Sequence, residues 1–541
     1  MKEINLTICI LSVRFIFLFW EDDNMLKKRF YKLFTITFIL FSVSSVLEAN
    51  AQDNTVIVAM GNTSEPESGF DPAFGWGAGE HVHEPLIQST LTTTTQDLKI
   101  AYDLATDIKT SEDGLQWIVT IRDDVFFTDG KPLTAEDVAF TYNKVKELST
   151  VNDFTMLDKA EAKDNKTVIF YMNKPYSIWP YSMANVGIVP KHAYNENYGQ
   201  NPIGSGRYIL QQWDKGQQVI LKANPNYYGK TPNIENVVVL FMSEDAAFAA
   251  AKANKVDVAY TTPSLSQEKI KNYNILAAHS VDNRTFNLPT IPKNGSIGND
   301  VTSDLAIRQA INIGLDRERL IKYILKGYGT PAYSVADKMP WFNDETIVVY
   351  NPEKAKAILE NAGWKIGKNG IREKNGVPAK FNLLYPANDS VRQALAAETS
   401  NQLKELGIAV TFEGVGWDTA YTRAQSEPLV WGWGAHTPME MYNIYHTAPN
   451  SNLAAYSPYS NKKVDELMDK ALATNDLSKS FELWKKSQEK VSNDIPWIWL
   501  VNIDHLYWVK NNLNVAEQKI HPHGHGWSIV NNIDQWSWSN E

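Results

Sequence analysis

Apolar positions along the chain follow two periods. TVIVAM (55–60) is β-branched and apolar and predicts a strand, and QWIVTIR (116–122) alternates before a turn at Asp123-Asp124. TVIFYM (167–172), GRYILQQW (206–213) and QQVILKA (217–223) predict three more strands. VVVLFM (237–242) predicts a buried strand, because no polar residue interrupts it. Over 303–327, Leu305, Ile307, Ile311, Leu315, Leu320 and Ile324 recur at helical spacing. That spacing predicts one helix, with Ser303 as N-cap and Gly327 at its end. NPEKAKAILENAGW (351–364) has Asn351 as N-cap, Pro352 at the first helical position and Gly363 past the last turn. Residues 461–473 and 477–492 read as amphipathic surface helices. Strands and helices intermixed in this way predict an α/β or α+β chain with more than one lobe.

Local chemistry sharpens two segments. DVFFTDGKPLTAEDVAFTY (124–142) reads as a strand, an Asp129-Gly130 turn and a helix capped at Thr134, with Glu136 and Asp137 in its first turn. The GSG triplet Gly204-Ser205-Gly206 predicts a tight backbone turn before a strand. At roughly 150 residues per domain, 541 residues suggest two to four lobes. No internal repeat or low-complexity linker divides them.

The N-terminus reads as a targeting segment. A basic stretch, Met25 to Lys32, precedes an uncharged apolar run, Leu33 to Leu47, and Ala49-Asn50-Ala51 is a small-x-small cleavage site. Maturation is expected after Ala51, at Gln52. The run is short for a membrane span. Residues 1–24 read as an extension from a misplaced start, since Met25 begins a complete signal. The single cysteine, Cys9, falls in the removed part, so a mature chain has no disulfide, thiolate metal site or cysteine nucleophile. It also has no lipidation cysteine after the signal. A free periplasmic product is expected.

Charge narrows the partners. The net charge is −10, and cleavage after Ala51 would leave 46 basic and 57 acidic side chains, or −11. No Lys/Arg run survives, which argues against nucleic acid. The acidic excess slightly favours cationic ligands.

Five segments then carry a resemblance. They are IRDDVFFTDGKPLTAEDVAFTY (121–142), NPIGSGRYIL (201–210), ANPNYYGKTPNIENVVV (223–239), IRQAINIGLDRERLI (307–321) and NPEKAKAILENAGW (351–364). In this order and spacing the chain resembles the family 5 solute-binding proteins of bacterial ABC transporters, the dipeptide, oligopeptide and nickel group. The resemblance covers essentially the whole mature chain. It implies an α/β, two-lobe periplasmic-binding-protein clamshell, class II-like, of the large type with an extra subdomain in its first lobe. It places the first lobe at 52–285 with an inserted subdomain at about 96–205, the second at 286–505, and a return to the first at 506–541. It implies a non-enzymatic receptor that hands its cargo to an inner-membrane permease, and a monomer is expected.

Five of the ten histidines lie in two short segments, GEHVHEP (His81, His83) and HPHGHGW (His521, His523, His525). His192, His279, His436, His446 and His505 are scattered. Side chains at i and i+2 of an extended stretch point the same way, imidazole suits Ni, Zn, Cu and Fe, and Gly524 and Gly526 would let the loop wrap an ion above Trp527. An HxH pair is also often a surface accident, and a His-rich strip a metal sink. In the resembled family the two chain ends share a lobe, so the segments can approach each other. Some nickel-uptake members resemble this chain in carrying histidines near both ends. The resemblance implies Ni2+ as transported cargo, wrapped by a small chelator such as L-histidine, with no catalytic cofactor. Candidate ligands are His81 or His83, with His521 and one of His523 or His525. Affinity is expected to fall as pH drops through the histidine range.

A second candidate is LVWGWGAHTPMEMY (429–442), where Trp431, Trp433, His436 and Met439 would line a cleft or, equally, pack in a core. For a chelator carboxylate, Arg122, Arg207, Arg284, Arg392 and Arg423 are unranked candidates. No HExxH, GxSxG, Walker or dinucleotide fingerprint is present, which argues against an enzyme. Capture of dipeptides or oligopeptides is the alternative cargo within the family, and an iron chelate or haem a third.

Overall fold

The computed structural model describes residues 54–66, 68–74, 84–149, 154–447, 457–524 and 526–539, all within one compact unit, Asn54–Glu541. The expected signal peptide, His81, His83 and His525 lie outside the described residues. No helix among the described residues is long and apolar enough to cross a membrane.

The chain is a mixed α/β protein of two principal sheets with helices around them. The first sheet has seven strands in the order Tyr273–Ala278, His505–Lys510, Val258–Thr261, Thr55–Gly61, Asn236–Met242, Gln218–Ala223, Tyr208–Asp214. Thr55–Gly61 runs parallel to both its neighbours, and His505–Lys510 is antiparallel to both of its own. This sheet therefore takes strands from near both ends of the chain. The second sheet orders Gly329–Pro331, Trp497–Ile503, Asn283–Asn287 and Val430–Trp431. An antiparallel meander of Ala105–Thr110, Gln116–Ile121, Thr167–Met172 and Leu157–Ala162 carries the helix Ala135–Leu148.

The local expectations hold where capping chemistry is strong. Thr134 and Asp137 form a reciprocal capping box. Asn351 caps Pro352–Asn361 and Asn461 caps Lys462–Leu472. Three expectations are corrected. The strand expected at the start of 124–142 is absent, and Phe126 makes only an isolated bridge to Pro132. The helix expected over 303–327 is two helices, Leu305–Gly314 and Arg317–Tyr323. Asp304, not Ser303, caps the first, and Asp316 caps the second by accepting from Arg319 N at 3.0 Å. A second N-cap inside the apolar pattern ends one helix and starts another without disturbing the buried stripe of Ile307, Ile311 and Leu320. The strand Asn236–Met242 is not buried on both faces. Val237, Val239 and Phe241 are buried while the residues between them are half-exposed, since apolar side chains are tolerated at a partly open face.

Two short connections join the principal sheets, residues 279–282 and residue 504. They lie side by side, with Ile503 N donating to Asp282 O at 2.9 Å. The strip 521–523 is laid against the first of them: His521 N donates to His279 O at 2.8 Å and Val281 N to His521 O at 2.9 Å.

Candidate functional site

A cavity of about 500 Å³ opens beside this junction. Its wall includes Glu84, Asp103, Arg207, Tyr228, His436, Lys519, His521, His523 and Trp527. Of the two histidine-rich segments, HPHGHGW thus contributes two described rings. Glu84, the residue after His83 in the sequence, lines the same cavity. It accepts from Asn531 Nδ2 at 2.7 Å and pairs with Lys519 Nζ at 3.3 Å.

His436 is delivered by a short, heavily constrained loop. Gly434 sits at φ +145°, where a Cβ would come within 2.3 Å of the Val281 carbonyl. The buried Glu440 carboxylate accepts from Gly434 N at 2.9 Å and Ala435 N at 2.8 Å. Thr437 then caps the helix Pro438–Tyr445. His436 is held between these two fixtures. Its Nε2 is shielded from solvent and has no hydrogen-bond partner among the described residues. Burial, reinforced by Lys519 and opposed by Glu84, lowers its pKa to about 4, so the ring is neutral at physiological pH. This places its protonation below the ordinary histidine range expected from sequence.

The HPHGHGW rings differ from one another. His521 meets Gln518 Oε1 at Nε2 and His505 at Nδ1, both at 3.1 Å. Burial and the neighbouring His505 and His436 hold its pKa well down. His523 turns Nδ1 to Asp282, and its backbone N donates to Gly434 O at 2.9 Å, which ties the strip to the His436 loop. Trp527 lines the cavity, donates from Nε1 to Ser64 O at 2.6 Å and packs edge-on against Phe70. Among the described residues, no group of three or more His, Cys, Asp or Glu converges so as to hold a metal ion unaided.

Charges in the wall are balanced. Burial pushes Asp103 up while Tyr228 Oη, at 2.5 Å, stabilises its charged form. Burial would raise Glu84 also, but Lys519 and Arg207 carry it below the usual range. Of the five arginines considered from sequence, Arg207 alone lines the cavity, paired with Asp534 at 2.9 Å. Arg122 pairs with Asp124, Arg284 with Asp282, Arg392 with Asp389, and Arg423 with Glu413 and Glu427.

Trp431 and Trp433 stack on each other at 5.6 Å within an apolar core and are not in the cavity wall. Met439, on the first turn of its helix, packs against that core. His192 pairs with Asp129, His279 with Asp504, and His446 stacks on Tyr442. Sequence reasoning passed over Glu84, Asp103, Lys519, Asp282, His505 and Glu440. Each is a single polar residue; Glu84 sat within GEHVHEP, Glu440 within the aromatic stretch 429–442 and Lys519 two residues before the histidine strip, but none matched a motif of its own.

Residues 99–486 match the family model of bacterial extracellular solute-binding proteins, family 5. Protein XP55 from Streptomyces lividans is 30% identical over 471 residues, covering 83% of this chain and 84% of that protein. The structure of NikZ from Campylobacter jejuni in complex with Ni(L-His) aligns with a TM-score of 0.75 at 25% identity, covering 90% of this chain and 100% of that one. The oligopeptide-binding protein AppA from Bacillus subtilis, in complex with a nonapeptide, aligns with a TM-score of 0.68 at 26% identity, covering 90% and 99%.

Proposed function

This chain belongs to the bacterial extracellular solute-binding proteins of family 5, and we propose on that premise that it captures Ni2+ as a small chelate, such as that with L-histidine. It is a receptor without catalytic activity, located in the periplasm after signal cleavage, and delivers the chelate to an ABC permease of the inner membrane. The observation that carries this reading is His436, a neutral ring in the cavity wall whose Nε2 has no hydrogen-bond partner among the described residues. A neutral imidazole can ligate without first losing a proton, and imidazole suits Ni2+. A cavity of about 500 Å³ suits a small chelate. His436 and a second imidazole from the strip, with His523 favoured, act as protein donors, and the chelator supplies the remaining positions. The expected contributions of His81, His83 and His525 belong to the same proposal. Arg207 and Lys519 are the cations nearest a chelator carboxylate, and Glu84 and Asp103 the acceptors for its amine. The similarity to NikZ supports the same cargo.

The sheet connections at 279–282 and 504, a few residues before the lobe boundaries expected at 285/286 and 505/506, support a division into two lobes that close on the cargo. A ligand touching both lobes favours the closed form.

Capture of a dipeptide or oligopeptide is the second reading. The mixed carboxylates and cations of the wall favour it, as does the similarity to AppA. Calorimetry on the untagged mature protein separates the two. One equivalent of Ni2+ with L-histidine taken up, and no heat from a dipeptide mixture, is the expected result. Peptide binding with no uptake of nickel–histidine would replace the first reading by the second.

A further inference from the structure

Donors and acceptors behind the histidine strip can be assigned outward from one fixed end. Trp536 Nε1, a donor only, gives its proton to Asn532 Oδ1 at 2.9 Å, which settles the orientation of that amide. Gln518 Nε2 donates to the same oxygen at 2.8 Å and to the Ala516 carbonyl at 2.9 Å. That turns Gln518 Oε1, an acceptor only, toward His521 Nε2 at 3.1 Å. His521 therefore carries its proton on Nε2. His505 lies between His521 and Asp282, its Nδ1 3.1 Å from His521 Nδ1 and its Nε2 3.1 Å from Asp282 Oδ2; donating from both nitrogens makes it the doubly protonated, cationic ring of the network. Both ring nitrogens of His521 are thereby engaged.

The other carboxylate oxygen, Asp282 Oδ1, accepts from His523 Nδ1 and from Arg284 Nη1. Asp282 is buried in an ion pair with Arg284, whose guanidinium can only donate. An ionised carboxylate can only accept, so the proton of His523 is on Nδ1 and its lone pair on Nε2.

We propose that Asp282 is a positioning residue for cargo binding: by holding the Nδ1 proton of His523 it makes Nε2 the metal-accepting atom of that ring, and through His505 it ties His521 down as a structural link. This rests on the nickel-chelate reading above. A carboxylate behind a ligating imidazole fixes its tautomer and orientation and raises its basicity, and removing such a partner costs about 10- to 100-fold in metal affinity. Asp282 lies on the connection between the two principal sheets, so one carboxylate fixes the strip and the junction together.

The ring tautomers can be read by long-range proton–nitrogen correlation NMR on the whole mature protein labelled with 15N-histidine, with no cargo present. The expected spectrum shows His523 protonated on Nδ1 and His521 on Nε2. In Asp282→Asn, His523 loses that preference and calorimetry with Ni2+ plus L-histidine shows binding weakened by about 10- to 100-fold. A wild-type His523 protonated on Nε2, or unchanged nickel–histidine affinity in a folded Asp282→Asn variant, overturns the proposal. Should the variant not fold, the wild-type spectrum decides. Tautomers as assigned in a protein that takes up no nickel–histidine would defeat the cargo reading instead, so the two failures are distinguishable.

Discussion

His436 concentrates the chemistry of the site in one side chain, and its surroundings make it testable without cargo. With its pKa pushed to about 4, its ring resonances should stay unchanged from pH 8 down to pH 5 in an NMR titration, where an ordinary histidine would titrate near 6.5. On the proposed role of His436 as a nickel donor, replacing it by alanine should weaken nickel–histidine binding at least about tenfold. Glu440 offers a second measurement. Burial raises its carboxyl to about 7, so the folded state holds a proton that the unfolded chain releases near 4.5. Stability is therefore lost as pH rises from about 4.5 to about 7, and the loss levels off above that. Glu440→Gln keeps an acceptor for the two loop amides and removes the titration. Urea denaturation should show the variant gaining on wild type between pH 5 and pH 8, by up to roughly 3 kcal/mol at 1.36 kcal/mol per pKa unit. At this scale His521 and His523 were visible in the sequence because their alternation is unusual. Asp282 and Glu440 were not, because a single carboxylate gains its role only from burial and from the amides and rings that tertiary contacts bring to it.

Among elements, the helix caps were legible and the breaks were not. Asp316 reads as one more polar residue in a helical pattern, yet it starts a new helix. Asp316→Ala should cost about 1 kcal/mol in urea denaturation, and Asp316→Asn much less, because asparagine caps equally well. The GSG triplet was expected to serve a tight turn, but its glycines answer to proximity. A Cβ on Gly204 would lie 1.9 Å from the Ile87 carbonyl, and neither Gly204 nor Gly206 has positive φ. Gly204→Ala should destabilise by about 1 to 3 kcal/mol by forcing two backbones apart. The aromatic pair Trp431 and Trp433 was left between cleft and core by its pattern. Packing against Trp497 put both in the core and left His436, three residues on, for the cavity.

For the whole molecule, the seven-stranded sheet is the decisive object. It joins Thr55–Gly61 to His505–Lys510 through Val258–Thr261, and Glu84 meets Lys519, two residues before the histidine strip. If the connections at 279–282 and 504 act as a hinge, small-angle scattering should show the radius of gyration falling when Ni2+ and L-histidine are added. The melting temperature should rise with their concentration, corresponding to about 2.7 kcal/mol at 100 times the dissociation constant. Sequence alone marked six of the strands and the helix caps Thr134 and Asn351, because periodicity, caps and turn residues are local and survive in one dimension; the family showed as a resemblance carried by five segments. It also singled out the histidine strip by composition. Tertiary structure alone decided which rings share a cavity, which nitrogens carry protons and which arginine lines the wall. Those properties depend on burial and on donors and acceptors hundreds of residues apart, and no spacing along the chain encodes them.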